Sequence, residues 1–193
     1  MGTSVLWCVR NIGAAKPENE GLYFQWGDTQ GHEKDSDYEF SPDNYKFYDS
    51  VEKKYLKYGS DAGGKTSLDI EDDAAHVIIG GDVRMPTDKE VTELLAVCPW
   101  KYVDNYNKSG MNGILVSKFN CSVFFPMSGY KMSKDTSDYN LRGFFYTSDL
   151  GKDHEGVASH MCYAPYTCYL HDAGFDRHGG FPVRPVLPKK RSS

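Results

Sequence analysis

Short runs of β-branched and aromatic residues, each bounded by glycine, proline, asparagine or serine, constrain the fold of this chain most. They are "NGILVSKF", "CSVFFP", "GFFYTS", "SHMCYAPYTCYL" and "GFPVRPV". Runs of this length and composition are typical of short strands separated by turns. Within the fourth run, Ala164 and Pro165 predict a turn between two strands. The sequence therefore predicts short antiparallel strands over much of the chain.

Helical signals occur in the middle of the chain. In "PTDKEVTELLAVC", Thr87 and Glu90 have the spacing of a capping box, and apolar residues recur at helical spacing from Val91 to Cys98. Pro99 then ends this helix. A second, weaker helix is predicted in "SLDIEDDAAHVIIGG", where acidic residues come early and a glycine pair follows.

The chain reads as one domain. It has 193 residues, of which 39% are hydrophobic, enough for one sizeable core. The polar, tyrosine-rich segment from Gln30 to Ser67 predicts a long, partly ordered loop. Because there is no internal repeat or low-complexity linker, we expect a single α+β domain over residues 1–193, with two helices, short antiparallel strands and long loops.

Charge and hydropathy exclude some functions. With 22 basic and 27 acidic residues the net charge is −5, which argues against general nucleic-acid binding. No apolar run approaches the roughly eighteen residues of a membrane span, so no membrane insertion is expected. The first thirty or so residues also lack the order of a secretion signal. The five cysteines are an odd, scattered set, which does not favour a disulfide framework.

The stretch from Ala158 to Val186 concentrates side chains that ligate metals or act in catalysis. Structural zinc sites usually space their ligands as C-x(2–4)-C and H-x(3–5)-H, because a tight turn must aim both ligands at one ion. The spacing here does not match, so we expect no metal in this stretch. The candidate ligands are His154, His160, Cys162, Cys168, His171, Asp172, Asp176 and His178.

Other chemical motifs are weak. A Cys/His nucleophile is conceivable, but the sequence does not select which cysteine and histidine would form it. Cys98 and Cys121 lie in apolar patterns that predict small core residues. His76 on the weaker helix is expected to be a buried or half-buried histidine with its hydrogen bonds satisfied, rather than a ligand. "EDDAAH" and "DTSDYN" lack the spacing of a calcium loop, which leaves a structural calcium open. "DAGGKTS" is not a phosphate loop. We expect no cofactor.

Spaced motifs along nearly the whole chain, from Leu6 to Val186, resemble the Fibrobacter succinogenes major paralogous domain family. They are "VLWCVRNIGAAKPENEGLYFQWGDT", "EDDAAHVIIGGDVRMPTDKEVTELLAVCPW", "VFFPMSGY", "GFFYTSDL" and "GFPVRPV". The family occurs in gut Bacteroidetes and their phages. The resemblance implies a C-type-lectin-like fold, similar to that of sulfatase-modifying factors and the formylglycine-generating enzyme.

Members with such an ending include variable proteins of diversity-generating retroelements, in which a reverse transcriptase rewrites adenines of an asparagine-rich template. Altered asparagine codons yield Tyr, His, Asp, Cys, Ser, Phe, Leu and Gly. The resemblance thus explains why this stretch is rich in Tyr, His, Cys and Asp although these residues lack the spacing of metal ligands. It implies a variable region at about 139–181, a terminal strand at 182–187 and a disordered tail at 188–193.

The resemblance implies specific variable positions, displayed on strands and loops of one face. "GFFYTSDL" resembles the family's "GYYWSSSL", and "FDRHGGFPVRPV" resembles "NNRANGFPVRPV", with Arg177, Gly180 and Phe181 kept. Val183, Arg184 and Val186 would form the terminal strand. The implied ligand-binding residues are Tyr139, Phe145, Tyr146, Asp149, His160, Cys162, Tyr163, Tyr166, Cys168, Tyr169, His171, Asp172, Phe175, Asp176 and His178.

These observations favour a binding protein without catalytic activity. The 14 tyrosines and 19 glycines suit a loop-rich binding surface. The implied partner is an unknown protein or glycan on a cell surface, and the implied location is a cell surface or a phage particle if the chain is displayed. Two alternatives remain, an oxidase related to the formylglycine-generating enzyme and an adhesive component of a bacterial surface assembly.

Overall fold

The computed structural model describes residues 1–152, 154–171 and 174–189. Within them the fold is α+β, with small antiparallel sheets and the α-helices α1 (Ala74–Ile79) and α2 (Asp88–Val97). The strands are β1 (Val5–Trp7), β2 (Tyr23–Phe24), β3 (Tyr48–Asp49), β4 (Lys54–Tyr55), β5 (Trp100–Val103), β6 (Gly113–Lys118), β7 (Cys121–Pro126), β8 (Tyr130–Met132), β9 (Asp135–Ser137), β10 (Gly143–Leu150), β11 (Ala158–Ala164), β12 (Thr167–His171), β13 (Phe181–Pro182) and β14 (Val186–Pro188).

The strands pair into several small sheets. Two are three-stranded, with the orders β5-β6-β7 and β10-β11-β12, and β1-β14, β2-β13, β3-β4 and β8-β9 form pairs. The predicted turn at Ala164 and Pro165 is confirmed, because β11 ends at Ala164 and pairs back on β12. In the described part of the chain, no helix has the length and apolar character needed to span a bilayer.

Both predicted helices are confirmed. The Thr87 side chain accepts a hydrogen bond from the Glu90 backbone, and the Glu90 carboxylate accepts one from the Thr87 backbone, which completes the capping box. Cys98 follows as the C-cap and is buried, as predicted. The weaker helix, α1, starts after Asp73, whose carboxylate accepts from the His76 backbone, and ends at Gly80.

The sheet β10-β11-β12 separates two hydrophobic clusters. Successive side chains of a strand point to opposite faces, so Phe144 and Cys162 join a cluster around Trp26, while Met161 and Tyr163 join another against α2. The sheet therefore has packed side chains on both faces over most of β10 and β11.

The closing motif does not form the continuous terminal strand that the resemblance implies. β13 pairs with β2, β14 pairs with β1, and Val183 and Arg184 between them are buried but outside any strand. The chain bends there because its two ends pair with different strands. The expectation of a disordered tail from residue 188 is wrong at its start, since Pro188 belongs to β14. The rest of the expected tail, residues 190–193, lies outside the described residues.

Two further expectations are corrected. The segment from Gln30 to Ser67 contains β3 and β4, and its side chains Phe40, Tyr45 and Tyr58 are at most 2% exposed, so this segment supplies part of the core. Cys121 is exposed because it lies at the start of β7, next to the turn from β6. The apolar pattern around it belongs to the following residues of the strand.

The acidic run before α1 is held by lysines and a tyrosine. The carboxylates of Asp69, Glu71 and Asp72 lie within 4.8 Å of one another. Asp72 accepts hydrogen bonds from Lys46 at 3.0 Å, from Lys57 at 2.6 Å and from the Tyr58 hydroxyl at 2.6 Å. This network ties the 46–58 segment to the start of α1. It also supplies the positive charge that a calcium ion would otherwise bring.

We predict that Asp72 makes the fold sensitive to acid. Burial raises the pKa of this carboxyl, but the hydrogen bonds from Lys57, Tyr58 and Lys46 outweigh burial and hold it below the ordinary value of 3.8. A lowered carboxyl pKa contributes stability above the unfolded pKa, and that contribution disappears as pH falls through the folded pKa. We expect Asp72→Asn to cost about 1–3 kcal/mol in urea denaturation at pH 7. Its difference from the unmodified protein should shrink below about pH 4.

Asp43 is exposed, so Asp43→Asn is the matched control. It should leave the urea midpoint unchanged at pH 7 and at low pH. A loss for Asp72→Asn that stays constant from pH 7 to pH 2 would contradict the ionic role of Asp72.

Candidate functional site

Five of the implied variable residues are not displayed. Phe145, Tyr146, His160, Cys162 and Tyr163 are at most 6% exposed. They lie on β10 and on the central strand β11, where both faces of the sheet are covered by core clusters. Antiparallel sheets often leave one face open to solvent, but core clusters cover both faces of this sheet. The expectation that these five side chains form a binding surface is therefore wrong.

Two more implied residues lie apart from the others. The Tyr139 hydroxyl donates to Glu20 at 3.3 Å, and the Lys34 ammonium lies 4.4 Å from the centre of its ring. Asp149 accepts a hydrogen bond from the Asp88 backbone at 2.7 Å, at the first residue of α2. Both side chains are partly buried and hold the fold together locally.

Three half-buried rings and one exposed ring come together on one face. We call Tyr130, His171 and Phe175, which are half-buried, and Tyr169, which is exposed, the aromatic surface. Tyr169 and His171 have ring centres 5.5 Å apart. Phe175 and Tyr130 form an edge-to-face pair at 4.7 Å. The buried His160 ring joins the two pairs, at 5.2 Å from His171 and 5.5 Å from Phe175.

The strand register explains this grouping. His160 lies directly opposite His171 in the β11-β12 ladder, and Cys162 lies opposite Tyr169, so all four side chains share one face. Phe175 reaches the same place from the loop after β12 and packs against Phe181 at 5.5 Å. The core side chains below thus fix the positions of the exposed rings.

The remaining implied residues surround this hairpin. Tyr166, at the turn between β11 and β12, is 97% exposed. Asp176 is exposed and His178 partly buried, with 3.9 Å between their carboxylate and ring nitrogen. Burial lowers the pKa of His178, so its ring is neutral at pH 7. Asp172 lies outside the described residues.

The two cysteines of this hairpin are not arranged for joint chemistry. Cys162 faces the cluster around Trp26, while Cys168, opposite Tyr163, packs on the other cluster. Burial raises the pKa of the Cys162 thiol and raises that of Cys168 to about 12. Because the thiolate is the nucleophile and the metal ligand, both groups are poor at either task at neutral pH.

Sequence reasoning missed Tyr130 as a member of the aromatic surface. It belongs to "VFFPMSGY", which the resemblance places in the fixed scaffold. Gly129, immediately before it, has a φ of +64°, and an added Cβ there would lie 2.1 Å from the Ser137 carbonyl oxygen. Gly129 is therefore the sequence signal that could have pointed to Tyr130, because a glycine at such a position marks a turn that changes the direction of the chain.

Sequence reasoning also missed an open cleft of about 910 Å³ beside the start of α2. Asp88, Asp149 and Glu155 line it, but their carboxylates already accept hydrogen bonds from Thr147, from the backbone of Asp88 and from Ser60. These three carboxylates are thus already committed within the protein.

The geometry supports binding by shape and ring contacts. Tyr169 is the exposed ring, with a polar hydroxyl beside an apolar ring face, and His171 packs next to it. Rigid rings lose little conformational freedom when they contact a partner. Searches of known protein families, of curated proteins and of solved structures found no match to this chain.

Proposed function

We propose that this chain binds a protein or glycan ligand on a cell surface through the aromatic surface and the exposed hairpin end at Tyr166, without catalysis. The observation that carries the proposal is the set of half-exposed rings whose positions are fixed by buried rings beneath them. Pre-positioned aromatic side chains are the usual energetic centres of protein binding surfaces. Such a surface needs no cofactor.

We further propose that the fold is C-type-lectin-like and that the chain is a variable protein of a diversity-generating retroelement. The support is the order of the sequence motifs and the chemistry of the residues between them. A diversified surface needs a scaffold that tolerates change, and Arg177 and Arg184 in the fixed motifs are fully buried. Display on a bacterial cell or a phage particle is part of this proposal.

Gene sequences from related isolates test the retroelement proposal directly. We expect substitutions confined to codons 139–181 and matched to adenines in an asparagine-rich near-copy beside a reverse transcriptase gene. Substitutions spread evenly along the chain, or the lack of such a copy near the gene, would contradict the proposal. This outcome is independent of the ligand.

The oxidase alternative has less support. It requires a cysteine pair in a shared cleft, whereas Cys162 and Cys168 face opposite sides of their hairpin. An adhesive component of a bacterial surface assembly would also bind a ligand through the aromatic surface. That alternative therefore differs only in the assembly that carries the protein. A constant surface sequence among isolates would favour adhesion.

We predict that Tyr169 dominates ligand binding. Truncating a central aromatic anchor typically costs about 2 kcal/mol or more, which is about a thirtyfold loss of affinity. The measurement is binding of the purified protein to immobilised glycans and to intact bacterial cells, with Tyr169→Ala compared with the unmodified protein. Tyr102→Ala is the matched control, since Tyr102 is 36% exposed on β5 and Tyr169 is 40% exposed on β12.

The control variant should bind normally, and both variants should unfold close to the midpoint of the unmodified protein. Binding that survives both Tyr169→Ala and His171→Ala would remove the aromatic surface from the proposal.

A further inference from the structure

A second groove lies away from the aromatic surface, between β1 and β7. It has a volume of about 420 Å³ and is lined on one side by Val5, Leu6 and Trp7 and on the other by Ser122 and Val123. β1 pairs only with β14 among the strands, and β7 only with β6. Each of these strands therefore has one edge without a partner strand in the described chain.

The hydrogen-bond pattern shows which backbone groups of β1 point to its open edge. Val186, opposite Trp7, uses both its N–H and its C=O on Arg84, at 2.8 and 3.1 Å. Trp7 and Val186 are thus a non-hydrogen-bonded pair of the antiparallel ladder. The N–H and C=O of Trp7 consequently point away from β14.

The same reasoning applies to β7. Ser117, opposite Ser122, donates its N–H to the Pro99 carbonyl on the far side of β6, at 3.0 Å. Ser117 and Ser122 are therefore also a non-hydrogen-bonded pair, and the N–H and C=O of Ser122 point away from β6. Both strands bordering the groove thus offer outward backbone donors and acceptors.

The surroundings of the groove are unusually apolar and exposed. Leu6 is 52% exposed, Val9 54% and Phe119, on the adjacent β6-β7 turn, 83%. Phe119 also has a φ of +54°, an uncommon conformation for a bulky residue. Exposed apolar side chains clustered at open strand edges are typical of a surface that another chain covers.

Two basic side chains lie at the groove, and the nearby Glu93 carboxylate already accepts hydrogen bonds from the Ser4 backbone and hydroxyl. Lys189 lines the groove and donates to the Thr3 carbonyl. Lys118 lies at the end of β6, and its ammonium would be 3.6 Å from a Cβ placed on Gly2. Neither lysine forms an ion pair with a described residue. The rim is therefore complementary to carboxylates.

We propose that this groove binds an extended peptide segment of another protein, which pairs with the backbone edges at Trp7 and Ser122 and places acidic residues beside Lys118 and Lys189. Strand addition obtains its affinity from backbone hydrogen bonds and its selectivity from alternate side chains. The segment has apolar residues at alternate positions and acidic residues at its ends. Such a site would attach the protein to its carrier while the aromatic surface stays free.

The test uses synthetic peptides of alternating valine and threonine, capped at both ends, with flanking glutamates. We expect saturable binding by calorimetry, with backbone amide shifts in NMR at Trp7 and Ser122. The same peptide with N-methyl groups on the pairing edge should bind at least tenfold more weakly, because it cannot donate to the strand. A lysine-flanked peptide should also bind at least tenfold more weakly.

Charge reversal supplies the matched variants. The double variant Lys118→Glu and Lys189→Glu should lose the preference for the glutamate peptide, whereas Lys89→Glu on α2 should keep it. Equal binding of the methylated peptide, shifts confined to other residues, or no binding at millimolar peptide would each overturn the proposal.

Discussion

Arg184→Met is expected to destabilise the protein by about 3–5 kcal/mol. The Arg184 guanidinium is fully buried and donates to the Asn11 side chain at 2.8 Å and to the carbonyls of Cys8 and Phe124 at 3.0 Å each. It also lies 4.5 Å from the centre of the Phe125 ring. Methionine fills similar space but leaves all three acceptors unsatisfied. Chemical denaturation at pH 7 measures the loss.

Arg142→Met is the control for this prediction. Arg142 is exposed and lies 3.8 Å from Asp138, so its removal should change the free energy of unfolding by less than about 1 kcal/mol. Burial lowers the pKa of Arg184 to about 10, which still leaves the group charged at pH 7. Equal effects of the two substitutions would show that Arg184 does not hold β7 to the N-terminal segment.

The second large effect is expected from placing a charge at one of the buried positions. Tyr146→Asp should cost about 4 kcal/mol or more, because Tyr146 is fully buried and stacks on Phe181 at 4.5 Å. Its hydroxyl also donates to the Gly179 carbonyl at 2.8 Å. Tyr169→Asp should cost less than about 1 kcal/mol, since Tyr169 lies on the edge strand β12 and is 40% exposed.

Under the proposed retroelement origin, tyrosine and aspartate would both arise from an altered asparagine codon. This pair of variants therefore tests how far the fold would tolerate such diversification. If Tyr146→Asp folds as stably as Tyr169→Asp, the core placement of β10 is wrong. If Tyr146→Asp is much less stable, a retroelement that rewrote codon 146 would produce some variants that do not fold. We therefore expect natural variation to concentrate at Tyr166, Tyr169, His171, Phe175 and Asp176.

Much of the local structure was accessible from the sequence. The capping box of α2 forms as predicted, because its bonds join residues three positions apart and need no distant partner. The turn after Ala164 and the short strands are also local, since glycine, proline and alternation determine them. The α+β class, with two helices and small antiparallel sheets, followed from these elements.

The candidate site was predicted only in part. Tyr166, Tyr169, His171 and Phe175 were named from the resemblance and lie on or near one face. Phe145, Tyr146, His160, Cys162 and Tyr163 were named by the same argument and are buried. The resemblance indicates which residues differ from the family's sequence, but it does not indicate which neighbouring residues cover them.

The sequence by itself therefore determined the two helices, the turn after Ala164 and several of the strands, because those elements depend on residues a few positions apart. The tertiary structure alone decided which side of each strand meets solvent. That decision depends on contacts between distant segments. Tyr45 and Tyr58, from the segment between Gln30 and Ser67, pack in the cluster on one face of the sheet, and α2 packs in the cluster on the other. Burial is a property of the packed chain as a whole, and no local pattern encodes it when both faces of a strand carry apolar side chains.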